Sequence, residues 1–432
     1  MSEFNRLKRS SVLSDGIMFL SGVLVTLVIL WSNPSKISSI RSNPDPFFTS
    51  TYINTGSEPA KTNQNPTQND LNVTTFYDDP EFNYTMGTPI KNWDEKRRQW
   101  LETHPSMSGS KNRIVMVTGS SPNPCKNPIG DHLQLRLFKN KVDYSRIHGH
   151  DVFYNNVLLH QGMFGYWAKY PLVKAAMLAH PEAEWIWWVD SDAVFTDMDF
   201  THPLDKYEAY NLVVYGWEEG VLIKKSTMAL NAGVFLIRNC QWSMDLLDHW
   251  AGFGPQNENY AKWGEIQKSV FIDKPYPVSD DQAALCYMIL MEKEIWGNKI
   301  YLESEYYFQG YWVEIVDKFE NVTRRYTELE TQVGSLRTRH AEKAGKKYRA
   351  EWQTRLDAAN TNGFTMGSWR RPFMTHFTGC EPCSGDHNPT YTKEACEGGM
   401  ITALNFADSQ VLRNFGYTRP DLYNSSRVEP LW

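Results

Sequence analysis

Two aspartates interrupt the sequence WIWWVDSDAVF, which runs from Trp185 to Phe195. Because bulky apolar residues precede them, Asp190 and Asp192 are expected at the end of a buried strand. Residues i and i+2 of a strand point to the same side, so both carboxylates can address one site. Such carboxylates repel each other unless a cation neutralises them, and Mg²⁺ and Mn²⁺ accept carboxylate oxygen. The pair therefore indicates a metal site, unless it only caps the strand and begins a turn.

This strand belongs to an alternating series of predicted strands and helices, which is typical of an α/β domain with a mostly parallel sheet. Ligands of such sheets bind at the carboxyl ends of the strands, where Asp190 and Asp192 are expected. A charged insert at about 317–370 is predicted to be a surface helical hairpin with a solvated face. The predicted strands cover 113–119, 151–159, 184–192, 211–217, 231–239 and 298–304, and the predicted helices cover 131–149, 166–181, 241–251 and 279–297.

The last of these helices begins at the sequence SDDQ. Ser279 is a suitable N-cap, and the acidic side chains of Asp280 and Asp281 are favoured in a first helical turn. Helix formation therefore explains these residues as well as chemistry does. The sequence RPFMTHFTGCEPC, which ends at Cys383, is expected to close the domain.

The N-terminus predicts a membrane anchor. Residues 16–31 are uncharged and follow a basic cluster, and no small-residue cleavage site follows Trp31. We expect a cytosolic tail at 1–15, a signal anchor at 16–31 and a lumenal remainder. Residues 32–90 are rich in Ser, Thr, Asn, Pro and Gln, and are expected to form a disordered stem before a globular domain at 91–432.

The cysteines agree with an oxidising lumen, because their number, six, is even. Cys380 and Cys383 resemble half of a zinc site, but no second CxxC accompanies them. A disulfide knot around Cys380 to Cys396 is the favoured interpretation, although the sequence does not give the pairing. N-glycosylation sequons begin at Asn72, Asn83, Asn321 and Asn424.

The net charge of −6 argues against a nucleic-acid partner, since phosphate backbones are met by basic patches. A DxD sequence after a buried strand in a lumenal domain instead favours a glycosyltransferase that uses a nucleotide-sugar, because a carboxylate-bound divalent ion bridges to substrate phosphates. Two other classes stay open. One is a lumenal carbohydrate-binding module without transfer activity, and the other is a metal-dependent hydrolase.

Six motifs in order support the transferase: VTGSSPNPCKNPIGDH, WWVDSDAVFTDM, LNAGVFLIRN, SDDQAALCYMI, KIYLESEYYFQGYW and THFTGCEPC. Together they resemble the plant family of galactomannan galactosyltransferases and xyloglucan xylosyltransferases over roughly residues 85–432. The resemblance implies a GT-A fold with a Rossmann-like, mostly parallel sheet. It also implies retaining transfer from a UDP-sugar, Mn²⁺ as the cofactor and a location in the Golgi membrane.

The resemblance assigns a metal-binding role to three residues. Asp190, Asp192 and His376 match the family's ligands for Mn²⁺, although a histidine next to Phe377 would ordinarily be a packed core residue. A neutral imidazole on the metal implies that activity fades at low pH.

Three catalytic residues follow from the same resemblance. Asp280, Asp281 and Gln282 match residues that flank the transferred sugar. One of the two aspartates would orient the acceptor hydroxyl or accept its proton, and Gln282 would stabilise the developing oxocarbenium. Attack on the same face as the leaving phosphate is favoured over a covalent intermediate.

Other residues are expected to meet the nucleotide-sugar. A small-residue loop after the first strand lets backbone groups approach a nucleotide, and the family places uridine there. Asp131 and His132 follow this loop, but an ordinary helix start explains them too. Lys169 resembles a base that meets the diphosphate, or is a solvated helix lysine. The expected donor-binding residues are Thr118, Gly119, Ser120, Asp131, Lys169, Asn231 and Gly233.

Two departures favour the galactosyltransferase branch. Glu381 stands where the xylosyltransferases carry a lysine that meets the diphosphate, and the insert at 317–370 is longer than theirs. We therefore expect transfer of galactose from UDP-galactose to O6 of a β-1,4-mannan backbone. The alternative is a xyloglucan α-1,6-xylosyltransferase that uses UDP-xylose and β-1,4-glucan. Homo- or hetero-oligomers with other Golgi polysaccharide synthases are a further expectation.

A late loop is rich in aromatic residues. Exposed rings there would stack on the apolar faces of sugars and so suit a long polysaccharide acceptor. Packing in the core of a large domain is the alternative. The residues concerned are Tyr306, Tyr307, Phe308, Tyr311 and Trp312.

Overall fold

Strand β3 (Trp185–Val189) is covered on both faces. In the computed structural model, which describes residues 74–108, 113–337, 341–359 and 370–431, all five of its residues are buried. Trp187 packs in one apolar cluster, whereas Ile186 and Trp188 pack in the other. The continuous apolar run is thus explained by helices on both faces of a central strand.

Six strands form the main sheet in the order β2–β1–β3–β6–β5–β7. Strand β1 is parallel to β2 and β3, and β5 is parallel to β7, whereas β6 is antiparallel to both of its neighbours. The predicted α/β class and mostly parallel sheet are confirmed, and the arrangement is GT-A-like. The other strands are β1 (Ile114–Gly119), β2 (Asp151–Asn155), β4 (Ala193–Phe195), β5 (Leu212–Gly216), β6 (Leu230–Arg238), β7 (Ile300–Glu303), β8 (Met374–His376), β9 (Tyr417–Thr418) and β10 (Glu429–Pro430).

Helices cover the sheet on both sides, and one face carries α3, α5 and α7 while the other carries α2 and α11. The glycine that follows α2, Gly149, has a φ of 72°, as the sequence predicted for a helix end. The helices are α1 (Trp93–Thr103), α2 (Gly130–His148), α3 (Lys169–Ala179), α4 (Glu218–Leu222), α5 (Gln241–Ala251), α6 (Tyr260–Val270), α7 (Asp281–Met291), α8 (Lys293–Trp296), α9 (Phe319–Gln332), α10 (Gly345–Ala359) and α11 (Lys393–Arg413).

Three expectations about the elements are wrong. The domain does not close at Cys383, because the 21-residue helix α11 follows and packs its apolar side into the core. The N-cap of α7 is Asp280, whose carboxylate accepts a hydrogen bond from the Ala283 amide, and not Ser279. The insert is more than a solvated hairpin, since α9 and α10 contribute buried residues such as Phe319 and Trp352 to the same core.

The predicted stem ends earlier than residue 90. Residues 74–90 already pack on the globular part. The ring centroids of Phe76 and Trp93 are 4.9 Å apart, and the buried Lys174 donates to the Thr88 carbonyl. The predicted anchor at 16–31, the stem up to residue 73 and the sequon at Asn72 lie outside the described residues. None of the described helices is both long and apolar enough to cross a bilayer.

Two disulfides join the loop after β8 to other parts of the domain. Cys125, in the loop after β1, pairs with Cys383 across 258 residues. Cys380 pairs with Cys396 at the start of α11. The disulfide knot that the sequence favoured is therefore present, although the sequence did not give its pairing. The CxxC sequence is therefore not a zinc site, because both of its sulfurs are in disulfides.

Breaking the long-range disulfide is expected to destabilise the domain. We predict that the double variant Cys125→Ser/Cys383→Ser has a free energy of unfolding about 2–5 kcal/mol lower than the wild type, because the unfolded chain regains loop entropy. Cys240→Ser is the control, since Cys240 is unpaired. Denaturant unfolding curves measure the difference, and equal stability of the double variant and the control would contradict the prediction.

Candidate active site

Asp190 and Asp192 lie in the turn between β3 and β4. The sequence predicted them within the strand itself, but β3 ends at Val189 and the Ala193 amide donates back to the Asp190 carbonyl at 3.2 Å. The buried amine of Lys141 supports this turn by donating to the carbonyls of Ser191 and Ala193 at 3.0 and 2.8 Å. Burial lowers the pKa of Lys141 to about 7. The carboxylates thus converge because the chain turns, and not because a strand alternates.

His376 reaches the aspartates through strand pairing. Strand β8 runs antiparallel to β4, with His376 opposite Ala193. The Nε2 atom of His376 lies 3.2 Å from Asp192 Oδ1 and 3.8 Å from Asp190 Oδ2. The structure therefore brings together the three residues that the sequence predicted as metal ligands.

The three side chains fit a divalent cation. One donor atom from each of Asp190, Asp192 and His376 falls within 4.8 Å of the other two. Carboxylate oxygen and imidazole nitrogen are suitable donors for a transition metal such as Mn²⁺. Gly233 on β6 faces the group, and a Cβ there would collide with Asp190 Oδ2 and His376 Cε1. A glycine is needed so that the backbone can approach the group closely.

The charges of this group depend on one another. Burial by itself would lower the pKa of His376, but the carboxylates of Asp192 and Asp190 outweigh it and raise the pKa. In the same way, burial would raise the pKa of Asp192, and His376 reverses the effect and lowers it. A proton on His376 therefore occupies the position that a cation would take, and the two compete.

Two neighbours that the sequence did not single out orient these ligands. The Gln309 side-chain oxygen lies 3.1 Å from His376 Nδ1 and can only accept a hydrogen bond, which leaves Nε2 free to face the aspartates. Trp188 donates its indole N–H to Asp190 Oδ1 at 2.6 Å. The sequence gives no signal for either contact. The contact of Gln309 joins it to a residue 67 positions away, and the contact of Trp188 depends on the turn after β3.

Lys169 connects the two acidic groups that the sequence singled out. Its amine is 2.7 Å from Asp281 and 3.6 Å from Asp190, and it also donates to the Ala232 carbonyl. Only 3% of the residue is exposed, so the solvated-lysine alternative is wrong. Burial tends to lower the pKa of Lys169, but Asp190 and Asp281 outweigh it and raise the pKa.

The SDDQ residues are fixed by hydrogen bonds at the start of α7. Asp280 caps the helix and forms an ion pair with Lys274, whereas Asp281 is buried against Lys169. Gln282 donates to the Thr227 carbonyl at 2.8 Å and accepts from the Ala232 amide at 3.4 Å. The last contact joins α7 to the start of β6.

Thr118 and Gly119 end strand β1, beside the strand that leads to Asp190, and Ser120 follows directly. The Thr118 hydroxyl is buried without a hydrogen-bond partner among the described residues. A Cβ on Gly119 would collide with the Asn155 carbonyl, so this glycine lets β1 approach β2. The Ser120 hydroxyl is 2.7 Å from that of Tyr154.

The remaining predicted donor-binding residues have local contacts. Asn231 accepts a hydrogen bond from the Gly233 amide at 2.9 Å, next to the predicted metal ligands. Asp131 and His132 are exposed in the first turn of α2, and Asp131 accepts from the Cys125 amide. These contacts agree with the ordinary helix start that the sequence also allowed.

The aromatic loop before α9 is mostly core. Tyr306, Phe308 and Trp312 are buried, whereas Tyr311 remains 37% exposed. Core packing therefore explains most of this loop, and stacking on sugars does not.

Comparison with known proteins identifies the family. A family model described as the galactosyl transferase GMA12/MNN10 family matches residues 110–387. The chain belongs to this family. It is 52% identical to galactomannan galactosyltransferase 1 of Cyamopsis tetragonoloba, in an alignment that covers 100% of this chain and 98% of that protein.

Two further relatives come from Arabidopsis thaliana. The chain is 56% identical to glycosyltransferase 6, over 97% of its own length and 95% of that protein. It is 42% identical to xyloglucan 6-xylosyltransferase 1, over 80% of its own length and 68% of that protein. The family resemblance seen in the sequence is confirmed, and the protein is a glycosyltransferase.

Removing one carboxylate is expected to abolish metal-dependent transfer. We predict that Asp192→Asn lowers transfer roughly 100-fold or more at any cation concentration that saturates the wild type. Release of UDP during a cation titration measures the effect, and circular dichroism checks the fold. Glu294→Gln removes an exposed acid from α8 and is expected to behave like the wild type. Normal turnover in Asp192→Asn would refute the metal role.

The affinity for the cation is expected to fall at low pH. Because the pKa of His376 is raised above 6.5, the imidazole is protonated below that pKa and cannot bind a metal. We predict that affinity decreases by roughly tenfold per pH unit in that range and levels off at higher pH. Calorimetric titration with Mn²⁺ between about pH 5.5 and 8.5 measures it. His387→Gln should keep the wild-type profile, and a flat profile in the wild type would exclude His376 as a ligand.

Proposed function

We propose that this protein transfers galactose with retention from UDP-galactose to O6 of a β-1,4-mannan backbone. The observation that carries the proposal is the 52% identity to a galactomannan galactosyltransferase along the whole chain. The identity to a xyloglucan 6-xylosyltransferase is lower, at 42% over 80% of the chain. Transfer of xylose from UDP-xylose to β-1,4-glucan is therefore the second candidate.

The donor would lie at the carboxyl ends of β1 and β3. Asp190, Asp192 and His376 would hold a divalent cation, which we propose to be Mn²⁺. When bound, such an ion acts as a Lewis acid for a departing diphosphate. Lys169 contacts both acidic groups, and its fixed position supports a role in orienting Asp190 and Asp281 toward the donor. Since Glu381 cannot replace a lysine at the diphosphate, Lys169 is the proposed substitute.

Retention is proposed to proceed by attack on the face that the phosphate leaves. A covalent intermediate needs a carboxylate that is free to act as a nucleophile. Asp280 is engaged as a helix cap and with Lys274, and Asp281 is paired with Lys169. These contacts support a role for the aspartates in orienting groups. The sugar pocket would be lined by Gln282 and by Asn231, which lies on β6.

The proposed location is the Golgi membrane, with the catalytic domain in the lumen. Two disulfides support an oxidising compartment. The uncharged segment 16–31 is the proposed signal anchor, and the sequons at Asn83, Asn321 and Asn424 lie on exposed residues that a lumenal enzyme could carry as glycosylated.

A donor–acceptor matrix tests the function. We predict that UDP-galactose with β-1,4-mannan oligosaccharides gives the highest kcat/KM, and that UDP-xylose with β-1,4-glucan oligosaccharides gives at least roughly tenfold less, since pocket contacts to a hydroxymethyl group discriminate by that order. Mass spectrometry of the products and UDP release are the two measurements.

The Asp192→Asn variant is the negative control for every combination of donor and acceptor. Preferential transfer of xylose to glucan would overturn the main proposal in favour of the second candidate. Binding of oligosaccharides without UDP release from any donor would instead favour a binding module.

A further inference from the structure

Four apolar side chains stand out by their exposure. Ile272 is 79% exposed, Ile223 74%, Met228 73% and Tyr276 72%, and no other large apolar side chain in the described part of the chain exceeds 66%. Single exposed apolar residues are common, but a cluster indicates a binding surface. These four residues are called the apolar rim below.

The rim residues come from two segments that are hydrogen-bonded to each other. The Ile272 amide donates to the Lys225 carbonyl at 3.1 Å. Next to it, the Asp273 carboxylate accepts from the hydroxyl of Ser226, from the amide and hydroxyl of Thr227, and from the Met228 amide. The segments 223–228 and 272–278 therefore form one surface.

The surface is preorganised. Tyr276 lies between Pro275 and Pro277, and proline fixes its own φ and restricts the residue before it. The Asp273 hydrogen bonds hold the facing segment in place. A ligand that binds here therefore loses little free energy in ordering the protein.

Both segments are in contact with the proposed catalytic residues. Gln282 donates to the Thr227 carbonyl, immediately before Met228. Lys274, two residues from both Ile272 and Tyr276, forms the ion pair with Asp280. Segment 223–228 also leads into β6, on which Asn231 and Gly233 lie.

We propose that the apolar rim binds the backbone of the acceptor, a chain of β-1,4-linked hexopyranose units, beyond the unit that receives the new sugar. Pyranose rings present C–H faces that pack on apolar side chains, and Tyr276 offers a ring for stacking. This inference rests on the proposed function. It assigns acceptor length selection to residues outside the predicted site.

Continuity with the catalytic residues favours the polysaccharide over a second copy of this chain. A growing polymer must pass the acceptor end of the site, and the segments that carry the rim contact Gln282 through Thr227 and Asp280 through Lys274. The expected aromatic loop, by contrast, is mostly buried, and Tyr311 is the most exposed of its five aromatic residues. A dimer interface is the competing occupant, and the experiment includes it as an outcome.

The experiment compares binding of long and short acceptors. The variants are Tyr276→Ala and the double variant Ile223→Ser/Ile272→Ser, with Ile295→Ser on α8 as the control, since Ile295 is also 66% exposed. The probes are mannohexaose, cellohexaose and mannotriose, titrated by calorimetry into full-length protein with UDP and Mn²⁺ present. We expect the rim variants to bind the better hexaose roughly tenfold more weakly and mannotriose less than twofold more weakly.

Light scattering and melting temperature are measured on the same samples. Equal binding of the hexaose by the rim variants and the control, or no binding by the wild type, would overturn the inference. So would a change from dimer to monomer with unchanged hexaose affinity, since the rim would then join two copies. If the wild type transfers galactose while rim variants bind normally, only this inference fails. If the rim variants bind weakly but the wild type transfers nothing, only the proposed function fails.

Discussion

Backbone pairing between β4 and β8 joins His376 to Asp192, although 184 residues separate them in sequence. The pairing extends on both sides, because the amides of Thr196 and Asp197 donate to the Phe373 carbonyl and the Phe377 amide donates to the Asp192 carbonyl. The two disulfides then fix the loop after β8 to the loop after β1 and to α11. The three proposed metal ligands are consequently held by backbone and covalent contacts on both sides.

The second constraint is electrostatic. The predicted ligands and the SDDQ sequence would place several carboxylates in one buried region, which is costly without compensating charge. Lys169 supplies that charge between Asp190 and Asp281. Lys141 stabilises the turn that carries Asp190 by donating a hydrogen bond to the Ser191 carbonyl. A bound cation would add the charge that His376 and the aspartates are arranged to receive. The polar site is thus stable within an apolar sheet because every acidic group has a partner.

In the proposed function, donor and acceptor bind at the two ends of this arrangement. The carboxyl ends of β1 and β3 suit a nucleotide-sugar, whereas the start of α7 and the segments beside it suit an acceptor. Gln282 touches both parts, since it accepts from Ala232 at the start of β6 and donates to Thr227 beside the apolar rim. Donor and acceptor would therefore meet at the start of α7. Because hydrogen bonds fix this helix start, it can hold the donor and the acceptor in a constant relative orientation.

The α/β class and the main strands could be predicted from the amino-acid sequence alone, and so could the three residues proposed to bind the metal. Continuous apolar runs mark strands covered on both faces, and six ordered motifs mark the family. The folded structure was needed to show that Asp190 and Asp192 converge through a turn, that Lys169 is buried between Asp190 and Asp281, and that Gln309 orients His376. It also decided that the aromatic loop is core and that α11 completes the domain. The reason is physical: periodicity reports burial along one element, whereas contacts between distant segments depend on how the elements pack.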